Sequence, residues 1–501
     1  MLHSDIQAVK FFCAFSFTAC LVVSGVAQVP ADTAALGAAA AEHGLMGMSV
    51  AVACRGEAPA VYTTGLRDYG RELATTDSTR YRVASVSKAA TAIGCAVLAE
   101  EGVMDLDADV SQYLGFELRN PAHPEAVITA RMLLSHRAGL RDGTGYGPFL
   151  TATYTGAPEV PGIVDLVHPT GANFTPNMWG SAAPGAYFSY ANVNYGVLAS
   201  AMEAAANERF DVLMRTRVFA PLGLLCSFNV LDLPDIDEVA VLYRNQGGWT
   251  PMADHYLGVP PPAPDLSGYV PGTNGLFFAP QGGLRASAHD LVRLLAVLDG
   301  GGGLLSAAAA AGIAQEVWAF TGANGNDYYG LFRSWGSGVH RANTGATDAI
   351  LPGAGPLIGH PGEAYGLISD AYLEPETGWR FAFLTNGAWD GYPLGTSAWY
   401  ALEEQVFAAI AADYAACAAS RVPEVRTASR VALVPNPARP GTPLRMSDGI
   451  PLPSGPCTFT RLDGAWAGTS GDGTVPELAT GIYFVQWPGR TDRMKLVVLR
   501  D

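Results

Sequence analysis

Apolar and polar positions divide this chain into short blocks of differing period. Residues 31–45 are rich in alanine and predict a first helix. Met48 to Cys54 (Met-Ser-Val-Ala-Val-Ala-Cys) is a strand-like run. Arg55-Gly56-Glu57 breaks it, and Ala60 to Thr64 predicts its hairpin partner. Ala84 to Glu100 keeps a helical period with few breakers and stops at Gly102. Leu291 to Leu298 predicts another short helix, closed by the glycines at 300–303. Phe381 to Leu384 predicts a strand ending at Asn386-Gly387, and Ser397 to Cys417 a long helix with many alanines. Two stretches, about 141–185 and 255–280, are rich in turn-forming residues. They predict long loops, read equally well as the lining of a cleft or as surface decoration. Residues 421–430 form a polar, proline-containing linker. Residues 431–501 are short strand-like runs between Gly, Pro, Asp and Ser turns, which predicts a small all-β domain. No repeat of fixed period is present.

The ends of the chain change this picture. Lys10 supplies a positive charge, Phe11 to Val23 is apolar, and Gly25-Val26-Ala27 offers small residues before a cut ahead of Gln28. That is the pattern of a signal peptide over 1–27, too short for a comfortable membrane span. No later run of 18 or more apolar residues without charges follows, so the mature chain is expected to carry no transmembrane segment. With 501 residues, 49% of them hydrophobic, the chain is too long for one average domain and has ample material for a large core. Its net charge of -16 argues against nucleic acid and anionic membrane as partners, although plain solubility explains it as well. Five cysteines remain after Gln28 (Cys54, Cys95, Cys226, Cys417 and Cys457). Scattered and odd in number, they form neither a disulfide framework nor a metal motif, and a single disulfide stays open.

Composition matters most for lysine, which occurs only at 10, 88 and 495. Lys88 lies three residues after Ser85 in Ser85-Val86-Ser87-Lys88, so the two share one helix face. A serine hydroxyl is a poor nucleophile at neutral pH and needs a nearby base. A lysine withdrawn from water loses pKa and becomes one. Ser85 opens its helix, where free N–H groups favour developing negative charge. The apolar flanks (Tyr81 to Ala84, Ala89 to Ala92) predict that the pair is buried; a capping serine with a solvent-facing lysine is the plainer alternative.

Tyr81 to Thr91 resembles the nucleophile helix of the serine β-lactamase and penicillin-recognising family. It is closest to the branch holding class C β-lactamases, D-Ala-D-Ala carboxypeptidases, D-aminopeptidases and related esterases. The family's Tyr-x-Asn motif is matched by Tyr190-Ala191-Asn192, after a Pro184-Gly185 lead-in. Its Lys/His-Thr-Gly motif is matched by His360-Pro361-Gly362. Leu133 to Leu140 and Gly282 to Leu291 resemble two further family segments. The resemblance covers roughly 35–415. It implies an α+β, β-lactamase/transpeptidase-like fold, an antiparallel sheet flanked by helices with a helical subdomain. By resemblance, Ser85 is the nucleophile, and Lys88 and Tyr190 share the proton transfer, Lys88 lowering the tyrosine's pKa. Asn192 bonds the acyl side chain of the substrate, and His360 and Gly362 bind substrate. The N–H groups of Ser85 and Glu363 form the oxyanion hole. His360 in place of lysine weakens recognition of a substrate carboxylate, since histidine is mostly neutral at pH 7. Which of Lys88 and Tyr190 is the acylation base stays open. His136 and His289 are expected to be structural, with no metal and no cofactor.

Leu433 to Ala438, Leu478 to Val485 and Lys495 to Leu499 resemble the type IX secretion sorting domain, a small β-sandwich read by an outer-membrane export machine. The domain plan is therefore 1–27 signal peptide, 28–420 hydrolase, 421–430 linker and 431–501 sorting-like β-sandwich. The expectation is a secreted or surface-attached acyl-serine hydrolase acting on D-amino-acid peptides, small esters or β-lactams, with the export machinery as partner. The alternatives are a non-catalytic binding member of the same fold, and an adhesin whose last domain, an accessory β-sandwich, does the binding.

Overall fold

The computed structural model describes residues 30–156 and 159–420, then residue 476 and six strands between Leu433 and Val498. The expected signal peptide, the linker at 421–430 and the Asn436-Pro437 turn lie outside the described residues. The chain divides into two compact units after Ala419.

The first unit is built on a nine-stranded antiparallel sheet. Its strands are β1 (Gly47–Ala53), β2 (Ala60–Asp68), β3 (Leu73–Ala74), β4 (Trp318–Ala319), β5 (Ser334–Trp335), β6 (His340–Ala342), β7 (Leu357–Ala364), β8 (Leu367–Glu374) and β9 (Trp379–Thr385), in the order β3-β2-β1-β9-β8-β7-β6-β5-β4. The predicted β1–β2 hairpin is present, with Val50 opposite Tyr62. Strand β1 then pairs with β9 from the far end of the unit, Val50 against Phe383. Every residue of β1, β8 and β9 is buried, because both faces of the sheet are covered.

One face packs on helices α1 (Thr33–Glu42) and α5 (Ala401–Ala419), through Leu36, Val50, Phe383, Trp399 and Phe407. A disulfide from Cys54, just past β1, to Cys417 ties α5 to the sheet across 363 residues, with Cα atoms 5.8 Å apart. The other face packs on α2 (Ser87–Glu100) and α4 (Ala288–Leu295), through Ala51, Ile93, Leu295 and Leu384. Ser287 caps α4 by accepting the Asp290 N–H, so this helix starts three residues before its apolar run. Helix α3 (Val193–Ala206) and the surrounding segments form a helical region against α2.

Two expectations are corrected. The segment 141–185 is not one long loop: it carries helices over Tyr146–Thr155 and Val164–Val167 and a 3₁₀ turn at Pro176–Met178. Phe149, Leu166 and Met178 are fully buried, and the Trp179 indole donates to the Val167 carbonyl. Tertiary burial overrides the local Gly and Pro signal there. In addition, the nucleophile segment is a 3₁₀ turn over Ala84–Val86 that runs into α2 at Ser87.

The second unit contains a four-stranded antiparallel sheet in the order Trp466–Ser470, Cys457–Arg461, Gly481–Gln486, Met494–Val498. A separate pair joins Leu433–Val434 to Arg445–Met446. Among the described residues no helix is long and apolar enough to cross a membrane, and no group of three His, Cys, Asp or Glu side chains is set to hold a metal.

Candidate active site

Ser85 is presented by an unusual piece of backbone. Ala84 has φ +45°, a region alanine rarely adopts, at a cost of about 1–3 kcal/mol. The turn is held from both sides: the Val83 N–H donates to Leu284 O, and the Ser369 hydroxyl on β8 donates to Val83 O at 3.0 Å. Strand β7 runs alongside. A Cβ at Gly362 would meet Ser85 N at 3.0 Å, Val83 O at 2.8 Å and Ser369 Oγ at 2.4 Å, so only glycine lets the strand lie this close. Side chains alternate along β7, so Glu363 turns away from Ser85, and its Oε2 accepts the Tyr400 hydroxyl at 2.9 Å.

Lys88 is fully buried. Its Nζ lies 3.0 Å from Ser85 Oγ, 2.9 Å from Asn192 Oδ1 and 2.8 Å from Gln281 O. Burial pulls its pKa from the usual lysine value down to about 7, opposed by the charge of Asp142. A neutral amine has two N–H groups and one lone pair. Asn192 Oδ1 and Gln281 O take the two donors, and the lone pair faces the Ser85 hydroxyl. That is the arrangement of a general base.

Tyr190 departs from expectation. Its phenol is pushed further above the ordinary tyrosine value by burial, with a hydrogen bond from Ser85 pulling the other way. Lys88 Nζ sits over the tyrosine ring, 4.9 Å from its centroid, and is not among the groups that pull the phenol down. His136 stacks on the same ring at 4.3 Å and accepts the Ala191 N–H through Nδ1, fixing the Tyr-x-Asn loop. Tyr190 is therefore a neutral phenol in contact with the nucleophile.

His360 also departs. It is fully buried between Tyr190 and Trp335, donates from Nδ1 to Pro361 O at 2.5 Å, and has no partner for Nε2 among the described residues. Burial and the nearby Lys88 hold it well below the ordinary histidine range. It is neither cationic nor exposed, which removes it as the receptor for a substrate carboxylate. Asn192 is more committed than a substrate contact would be. Its Oδ1 holds Lys88 and its Nδ2 donates to Asp142 Oδ2 at 2.9 Å, which leaves one amide hydrogen for a ligand.

Several neighbours carried no signal in the sequence. Asp142 follows Leu140, the last residue of the Leu133–Leu140 segment, by two positions. Gln281 meets Lys88 through its backbone carbonyl, and its side chain bonds Tyr154. The rim adds Tyr146, whose phenol is raised by burial and by Asp142, and Tyr154, raised by burial within electrostatic reach of Arg82 and Tyr365. Arg82 stacks on the Tyr365 ring at 5.1 Å and donates to Gly282 O.

Comparison with known proteins bears on this geometry. Residues 33–404 match the family model described as Beta-lactamase. "Penicillin-binding protein 4" of Amycolatopsis lactamdurans is 28% identical over 364 residues, covering 69% of this chain and 82% of that protein. A D-aminopeptidase of Brucella canis is 27% identical over 250 residues, covering 49% of this chain but only 41% of the relative. Among solved structures, the D-amino acid amidase from Ochrobactrum anthropi SV3 superposes with a TM-score of 0.57 at 20% identity, over 76% of this chain and 98% of that one. EstCE1, titled a hydrolase with promiscuous acyltransferase activity, gives 0.57 at 22% identity, over 75% and 97%. At these identities the structural likenesses establish the fold.

Proposed function

The chain belongs to the beta-lactamase family of serine hydrolases, and from that premise we propose that it cleaves ester and amide bonds through an acyl-enzyme on Ser85. The observation that carries this reading is the buried Lys88 amine, 3.0 Å from Ser85 Oγ with its pKa near neutrality. Ser85 Oγ attacks the carbonyl carbon while its proton passes to Lys88 Nζ. The oxyanion is received by the N–H groups of Ser85 and Glu363. The carbon–leaving-group bond breaks, and the leaving group takes the proton back from Lys88, with the Tyr190 phenol as the relay beside Ser85. Water then repeats the sequence and frees the acid.

D-amino-acid amides and peptides, with small esters, are the preferred substrates in this reading. β-Lactams rank last, because the buried, neutral His360 offers no cation for the carboxylate they carry. The names of the D-aminopeptidase and D-amino acid amidase relatives support the same ranking. The test sets a D-amino-acid amide, a D-Ala-D-Ala peptide, p-nitrophenyl esters and nitrocefin side by side. Turnover of amides or esters that disappears in Ser85→Ala supports the reading; equal turnover in Ser85→Ala overturns it. The intact Ser85–Lys88 geometry weighs against a non-catalytic binding protein of this fold.

We further propose that the protein is exported, through a signal peptide over 1–27 and a type IX sorting domain over 431–501. The Cys54–Cys417 disulfide supports an oxidising destination, and the antiparallel strands Gly481–Gln486 and Met494–Val498 suit such a domain.

A further inference from the structure

Asp142 belongs to no motif in this chain, yet it is the hub of the network behind the base. Its Oδ2 accepts the backbone N–H of Asn192 at 2.9 Å and the Asn192 side-chain Nδ2 at 2.9 Å. Its Oδ1 accepts the Val193 N–H at 2.9 Å. These are the free donors at the start of α3, where a carboxylate is favoured. Asn192 Oδ1 in turn accepts Lys88 Nζ at 2.9 Å. We propose that Asp142 is the positioning residue of this site, locking the Asn192 amide in the orientation that aims Lys88 at Ser85.

An amide offers oxygen on one side and NH₂ on the other, and its rotation by half a turn exchanges them. An ionised carboxylate accepts and cannot donate, so Asp142 forces Nδ2 towards itself and Oδ1 towards the lysine. With the amide reversed, Nδ2 would face Lys88 with a donor against a donor, and the amine would lose the acceptor that fixes its direction. Asp142 also acts by charge. The groups facing Lys88 are the Tyr190 and Tyr195 rings and the imidazoles of His136 and His360, both held neutral by burial. Asp142 is the carboxylate that offsets the burial of Lys88. Its removal makes protonation of the amine harder, so the base titrates at lower pH.

This inference rests on the serine-hydrolase reading above, and the experiment separates the two. Rates of p-nitrophenyl ester turnover and of Ser85 labelling by a fluorophosphonate are measured against pH for the wild type, Asp142→Asn, Asp142→Glu, Asn192→Ala and the double variant Asp142→Asn/Asn192→Ala. Asp142→Asn is expected to slow both reactions about 10- to 100-fold, a fraction of what a positioned base supplies. Its acid limb is expected to move to lower pH. Asp142→Glu keeps the charge on a longer arm and is expected to hold the limb in place while losing rate. The double variant is expected to be no slower than Asn192→Ala alone, since one residue works through the other. Unchanged rate and limb in Asp142→Asn, or losses that add in the double variant, overturn the proposal. A wild type that never labels at Ser85 fails the hydrolase reading itself.

Discussion

In the proposed reaction Lys88 is the base because its surroundings leave it one task. Asn192 Oδ1 and Gln281 O accept its two N–H groups, burial brings its pKa to about 7, and its one lone pair faces the Ser85 hydroxyl. Tyr190, by contrast, is driven up by burial, and the proposed reaction therefore assigns the base to the lysine, a choice the motifs leave open. The close approach of Gly362 to Ser85 gives a direct check. Gly362→Ala puts a methyl 3.0 Å from Ser85 N and pushes β7 off the turn. Turnover is expected to fall about 100-fold, as when one oxyanion-hole donor is lost. The overpacking is expected to cost about 1–3 kcal/mol, read from thermal unfolding. A fully active variant would remove β7 from the site. The pairing of Ser85 with Lys88 was legible because their spacing is local and lysine is so scarce. The burial of His360 was not: it depends on Tyr190 and Trp335, which only the folded chain brings beside it. Asp142 was invisible because a lone aspartate in a turn-rich stretch marks nothing until the start of α3 lands on it.

At the level of elements, local pattern located the β1–β2 hairpin, α2 and the strand over 381–384 well. Their apolar periods coincide with what the fold buries. The ends were less legible. Helix α5 starts at Ala401, four residues after the expected start at Ser397, because Ser397 and Thr396 bond the Glu404 carboxylate ahead of it. The helices within 141–185 were missed because their stability comes from Phe149 and Leu166 in the core and not from their own sequence. The pairing of β1 with β9 spans more than three hundred residues, and no local pattern reports it. The Cys54–Cys417 disulfide closes the same long loop. Cys54→Ser is expected to lower stability by about 2–4 kcal/mol and to leave pH-dependent turnover at permissive temperature unaltered. Calorimetry of oxidised and reduced protein checks it, and equal unfolding temperatures for wild type and variant under oxidising conditions would contradict it.

At the level of the molecule, the proposed catalysis and the proposed export draw on different segments of one chain. The site draws on β7, β8, α2, α3 and the 281–285 segment, all within the first unit. Export is therefore expected to leave activity with the first unit. The mass of the protein recovered outside the cell is expected to start at Gln28 and to end before residue 431. A full-length product with residues 1–27 attached would contradict the export account.

The central claim is that a neutral Lys88 activates Ser85. The rate of Ser85 phosphonylation by a fluorophosphonate, followed by intact mass from pH 5 to pH 10, tests it most directly. Below its pKa the amine is protonated and holds no lone pair, so the rate is expected to rise with pH through a midpoint of about 7 and then level off. Lys88→Met is expected to abolish the rise and the labelling together. A midpoint above pH 9, or labelling that persists unchanged in Lys88→Met, would contradict the account.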